Sequence, residues 1–131
     1  MRIVLDTSAY SHLRGNHTEV VNRIAAADTV YLPAIVLGEL EAAFRLGRRT
    51  SDSRAKLEEF LHEDFVEVLS VTADVARRYG EIFVALRAAG TPIPVNDIWI
   101  AAATIDAGAE LITFDSDFDR IARLDRTILV P

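Results

Sequence analysis

The sequence predicts an α/β protein: a three-layer α/β/α sandwich with a central parallel sheet of about five strands, folded as one domain over residues 1–131. Three observations predict it. Strand and helix patterns alternate from one end of the 131 residues to the other, without repeat, linker or low-complexity tract. One late helical segment is apolar all round, so it belongs inside the domain rather than on its surface. Half of the residues are apolar, enough to bury a core and to cover both faces of a sheet.

Residues 2–5 read as a short buried strand that ends at Asp6. Thr7 or Ser8 caps a short helix, which Gly15 closes, and 18–27 is a second helical run. Val30-Tyr31-Leu32 is a strand, and Pro33 suits the first turn of the next helix. That helix runs to Gly47 with Leu37, Leu40 and Phe44 on one face. A helix over 53–62 precedes a strand over 65–69. Thr72 caps a longer helix in which Val75, Tyr79, Ile82, Phe83 and Leu86 keep helical spacing, and Gly90 ends it. Thr91-Pro92-Ile93-Pro94 is an extended loop, because proline disfavours helix in the residue before it. Asn96 caps a helix that carries the apolar run Ile98-Trp99-Ile100-Ala101-Ala102-Ala103 as far as Ala107, where Gly108 stops it. A strand over 110–113, a short helix over 116–122 and a strand over 127–130 complete the chain.

Composition excludes several classes of function. No cysteine is present, which removes disulfides, thiolate metal sites and cysteine nucleophiles. No apolar run approaches the ~20 residues that span a bilayer. The N-terminus lacks a signal-peptide plan, so a soluble, cytosolic protein with no membrane partner is expected. The net charge of −6 argues against a protein held on nucleic acid by bulk charge, though not against a local grip. Lys56 is the only lysine, and Arg45, Arg48, Arg49 and Arg54 lie close together. Arg45, Arg48 and Arg49 end the helix after Pro33, either as a solvated helix end or as a contact for RNA or a protein partner.

Glu39 is the most informative residue. Its helical neighbours Ile35, Val36, Ala42 and Ala43 are all apolar, so its charge sits on a hydrophobic face with no cation one turn away. Such a carboxylate needs a cation or hydrogen bonds. Glu41, with Arg45 at i+4, reads as an ordinary surface acid. Asp6 and Asp115 each follow a strand, and each also suits a helix N-cap. Asp97 starts the buried helix, where the helix dipole favours an acid. Taken together they point elsewhere, because parallel sheets bind ligands beyond the carboxyl ends of their strands. Asp97 joins the others only if the 91–95 loop brings its helix start over the sheet.

Carboxylates gathered in one place cannot all stay ionised without cations. Oxygen ligands suit Mg²⁺, with Mn²⁺ possible, rather than zinc. His12, His17 and His62 show no ligand spacing. Phosphate-binding glycine loops and the nucleophile elbow of α/β-hydrolases are absent.

Four segments resemble the PIN-domain ribonucleases, specifically the VapC-type toxins of prokaryotic toxin–antitoxin pairs. They are Val4-Leu5-Asp6-Thr7-Ser8, Leu37-Gly38-Glu39-Leu40, Asn96-Asp97-Ile98-Trp99-Ile100-Ala101, and Leu111-Ile112-Thr113-Phe114-Asp115-Ser116-Asp117-Phe118. Their order and spacing match, and the resemblance covers essentially the whole chain. It implies a PIN-like fold in which Asp6, Glu39, Asp97 and Asp115 are the catalytic and metal-binding acids, with Asp117 as the substitute for the fourth. Thr7 or Ser8 would support the first aspartate, Thr113 the fourth acid, and Asn96 would stand just behind the site. It also implies Mg²⁺-assisted hydrolysis of RNA, a VapB-like antitoxin partner and a homodimer. A catalytically idle PIN-like module that binds RNA or protein is the alternative. A phosphatase is disfavoured, because Asp6 does not begin an Asp-x-Asp.

Overall fold

The computed structural model describes residues 1–47 and 51–131. Its strands are β1 (Arg2–Leu5), β2 (Thr29–Pro33), β3 (Val66–Leu69), β4 (Glu110–Thr113) and β5 (Arg126–Ile128). They form one parallel sheet in the order β3-β2-β1-β4-β5. Six α-helices flank it: α1 (Thr7–Arg14), α2 (Thr18–Ala26), α3 (Ala34–Arg45), α4 (Ser51–Leu61), α5 (Ala73–Ala88) and α6 (Val95–Ala107). A 3-10 helix, Ser116–Arg120, follows β4. No helix among the described residues is long and apolar enough to cross a membrane.

The central strands supply the core. Ile3, Val4 and Leu5 of β1 and Leu111 and Ile112 of β4 are fully buried. Truncating one such leucine to alanine costs ~2–5 kcal/mol, because the transfer term and the cavity add. In α6 Ile98, Ile100, Ala101, Ala102, Ala103 and Thr104 are buried, as the all-round apolar run predicts. Gly108 ends α6 with φ of +62°, and Arg2 hydrogen-bonds the Ala107 carbonyl beside it.

Several boundaries move, each for a local reason. Asp6, rather than Thr7 or Ser8, is the N-cap of α1: its backbone is extended and its carboxylate accepts from the Ala9 N–H at 2.8 Å. Asn96 does not cap α6. The Pro94 carbonyl takes the N–H groups of Asp97 and Ile98, which starts the helix at Val95 and puts Asn96 in its first turn. Pro33 closes β2 instead of opening α3. The segment after Asp115 is 3-10 rather than α-helical and stops at Arg120, since Leu124 and Ile121 turn inward to the core. Both ends of α4 lie one or two residues earlier than the sequence pattern suggests, and β5 begins at Arg126.

The topology fixes where a ligand can meet the sheet. The chain leaves β1 toward β2 and β3, then crosses back to β4 on the opposite side of β1. The crevice beyond the carboxyl ends of β1 and β4 is therefore the switch point. Because α6 feeds β4 and the sheet is parallel, α6 runs against the strands and begins at this same edge.

Candidate active site

Asp6 leaves the end of β1 at the switch point with a nearly buried side chain. Oδ1 accepts from Ser8 Oγ at 2.7 Å and from the Ala9 N–H at 2.8 Å, and Oδ2 accepts from the Thr113 hydroxyl. The same two hydroxyls reach into the β4 end: Ser8 Oγ accepts from the Phe114 N–H at 3.1 Å and Thr113 Oγ1 from the Asp115 N–H at 3.0 Å. Ser8 and Thr113 thus tie β1 and β4 together through the carboxylate between them. Burial raises the Asp6 carboxyl above its ordinary range, the three hydrogen bonds pull it back, and the Asp115 charge pushes it up again.

Glu39 reaches the site from α3, half-buried. Its oxygens accept from Thr7 Oγ1 at 2.6 Å and from the Asn96 amide at 3.5 Å. Among the described residues it has no ion pair. Thr7 therefore supports Glu39, while Ser8 supports Asp6.

Asp97 carries the strongest sign of convergence. Its carboxyl is pushed up to about 7, first by burial and then by the charges of Asp115, Asp6, Glu39 and Asp117. Every acid singled out in the sequence therefore bears on this one side chain. Its place on the first turn of α6 also gives it the positive end of a helix dipole.

Asp115 and Asp117 both face Asp97. Carboxylate oxygens of Asp97, Asp115 and Asp117 lie within 4.8 Å of one another, the spacing at which one cation can bridge them. Asp115 Oδ1 also accepts from the Asp117 N–H at 2.9 Å, so it caps the 3-10 helix while facing the cluster. Asp117 thus stands beside Asp115 in this cluster. Asp6 and Glu39 lie outside that closest triad. All the donors are carboxylate oxygens, a set that fits a hard divalent cation, Mg²⁺ or Mn²⁺, and offers zinc nothing it prefers.

The arginine segment looks different. Arg45 is exposed and paired to Glu41 at 2.9 Å; Arg54 pairs with the same carboxylate at 2.6 Å and lies over the Phe44 ring. Arg48 and Arg49 lie outside the described residues. Sequence reasoning passed over Arg120, whose Nη1 is 3.4 Å from Asp117 and 3.2 Å from the Pro92 carbonyl, linking the 3-10 helix to the loop before α6. Its i+3 spacing from Asp117 is the signal that would have found it.

A family model described as PIN domain matches residues 3–124. The chain belongs to the PIN domain family. This PIN domain is 30% identical to ribonuclease VapC5 of Mycobacterium tuberculosis over 116 residues, 88% of this chain and 84% of that one. It is 30% identical to ribonuclease VapC1 of Haemophilus influenzae over 130 residues, 95% of each chain. Among solved structures, it superposes on a chain of VapBC2 from Rickettsia felis, bound to a DNA fragment from its promoter, with TM-score 0.86, 26% identity and 98% coverage of both chains.

Proposed function

We propose that this PIN domain acts as a single-domain Mg²⁺-dependent endoribonuclease (Mn²⁺ serving as well), the toxin of a VapBC-type pair, hydrolysing RNA phosphodiester bonds in the cytoplasm. The observation that carries the reading is the convergence of Asp6, Glu39, Asp115 and Asp117 on Asp97, from separate elements, at the carboxyl edge of a parallel sheet. Relatives named ribonuclease along most of their length support the substrate class. Solved VapBC complexes support a VapB-like antitoxin partner, and the homodimer follows from the family resemblance.

Asp97, Asp115 and Asp117 would hold the cation, with the charges of Asp6 and Glu39 acting on Asp97. When bound, the metal would lower the pKa of a water and neutralise charge on the phosphate. The chain's own residues do the rest. Ser8, Thr113 and the Ala9 N–H fix the Asp6 carboxylate so that it cannot turn away. Glu39, which accepts from a hydroxyl and an amide, is placed to orient the attacking water and accept its proton. Thr7 and Asn96 hold that carboxylate from two elements.

The test is incubation of the purified protein with RNA and with a generic phosphate ester, each with Mg²⁺ and with chelator. Cleavage of RNA alone, lost on chelation, is expected. Intact RNA in Mg²⁺ would return the idle binding module, and hydrolysis of the ester would return the phosphatase.

A further inference from the structure

His12 takes no part in the acidic cluster, yet its ring is held on two sides. Nδ1 lies 2.9 Å from the Ser8 carbonyl. A carbonyl only accepts, so Nδ1 carries the proton and the neutral ring keeps its lone pair on Nε2. Nε2 is neither sealed from solvent nor bonded to another described residue. The imidazole lies parallel to Phe114, with centroids 3.7 Å apart and planes 16° from parallel, and the edge of His17 meets the same phenyl ring at 4.9 Å. Phe114 stands between Thr113 and Asp115, and its N–H is bonded to the Ser8 hydroxyl that holds Asp6. The ring stack is thus built onto the residues that fix the acids.

Beyond His17 the surface opens into a groove of about 620 Å³ between the α1–α2 turn and residues 128–131, lined by Asn16, Thr18, Ile128 and Val130 among others. That size falls within the ~300–1,000 Å³ of small-ligand pockets. His17 Nε2, 2.9 Å from the Val130 carbonyl, ties one wall to the other. Asn16 lines the groove from a left-handed backbone, φ +59°, a conformation asparagine tolerates better than most side chains. Among the described residues no lysine or arginine lines it, and Glu19, which does, pairs with Arg23 at 3.3 Å.

A groove without cations does not grip phosphate, whereas rings and neutral polar edges suit a base. We propose that His12, Phe114, His17 and this groove form a subsite for one unpaired nucleobase of the RNA, adjoining the scissile phosphate. Unpaired bases stack on such rings whatever their sequence, and the open Nε2 of His12 adds a hydrogen bond that discriminates among base edges. The subsite rests on the ribonuclease reading and specifies how the substrate is held.

The test is steady-state cleavage of a mixed-sequence single-stranded RNA by wild type, His12→Ala, His12→Gln and Phe114→Leu, with cut sites mapped and Mn²⁺ affinity titrated separately. His12→Ala and Phe114→Leu should raise KM ~10-fold and broaden the cut-site preference, with Mn²⁺ affinity unchanged. His12→Gln, which keeps a polar atom near Nε2, should recover part of the preference but not the stacking. If wild type cuts RNA while both truncated variants keep its KM and cut sites, the subsite is wrong and the ribonuclease reading stands. The same changes accompanied by weaker Mn²⁺ binding would also overturn it, since the rings would then be acting through the acids. A wild type that leaves RNA intact removes both readings together.

Discussion

Glu39 and Glu41 lie two residues apart on α3 and have opposite surroundings. Glu41 is bound by two arginines, Arg45 and Arg54, and its carboxyl is held below the usual range, by Arg54 first. Glu39 is half-buried beside other acids and, among the described residues, receives only a hydroxyl and an amide. One acid has its counter-ion within the protein, and the other has none among the described residues. The difference teaches how to separate structural from functional carboxylates: partner type is more telling than burial alone, because a partly buried acid with neutral donors still needs a cation from outside.

The largest expected effect tests that rule at the acid with the most neighbours. Asp97→Asn keeps size and hydrogen bonding but removes a charge, so folding should survive while Mn²⁺ affinity and RNA cleavage each fall ~100-fold or more. Titration calorimetry and a cleavage assay measure the two losses. A variant that cuts RNA at the wild-type rate would reduce Asp97 to a favourable helix-dipole residue.

Next come the two glutamates themselves. Glu39→Gln should lower cleavage ~10–100-fold and leave the metal-free melting temperature unchanged or raised, because it relieves repulsion among acids. Glu41→Gln should leave cleavage within ~2-fold and lower the melting temperature slightly, as expected for exposed ion pairs. Calorimetric melts in chelator read both. A marked fall in stability for Glu39→Gln would make it a structural acid and dissolve the comparison.

A pH series sharpens the same contrast. The Asp97 carboxyl moves from an ordinary 3.8 to about 7 in the folded, metal-free protein. Between those values the folded state binds a proton that the unfolded chain has lost, so this group's contribution to stability falls as pH rises from about 4 to about 7. Glu41, with its lowered carboxyl, works in the other direction: its contribution is present at neutral pH and is lost on acidification. The difference between wild type and Asp97→Asn, followed by denaturant melts across this range in chelator, isolates the first term. Proton and metal compete for the same carboxylate, so Mn²⁺ affinity should strengthen as pH passes through about 7.

The smallest effect is expected at Arg45 and Arg54. Their charges are already offset by Glu41, so Arg45→Ala combined with Arg54→Ala should change the salt dependence of RNA binding by less than one phosphate contact's worth. A slope that flattens by about one or more would show that these arginines leave Glu41 for the RNA.

Much of this was legible in the sequence, for reasons that differ by element. Apolar runs and glycine stops located β1, β4 and α6, because burial on all sides leaves little room for polar residues. Glu39 stood out because its helical neighbours contradict its charge. For Asp6 and Asp115 two roles competed in the sequence, N-cap and site acid, and in the structure each carboxylate does cap a helix while facing its neighbours. Asp97 required a point of topology: a helix feeding a parallel strand must begin at the carboxyl edge of the sheet. Asp115 and Asp117 compete for the fourth position in the sequence because they alternate after one strand, and the 3-10 turn brings both toward Asp97. The ring stack on Phe114 was illegible, because His12, His17 and Phe114 meet only through tertiary packing.

Asp6 and Thr113 are hydrogen-bonded neighbours separated by 107 positions along the chain. On the ribosome, at ~5–20 residues per second, Asp6 emerges roughly 5–20 s before its partner. β1 meanwhile has β2 beside it but no β4, and Asp115 and Asp117 have not yet been made. On the toxin reading proposed above, chains stopped before Leu111 lack β4 and should accumulate without slowing growth, while the full chain should slow it. On that reading an antidote need only be present when synthesis finishes.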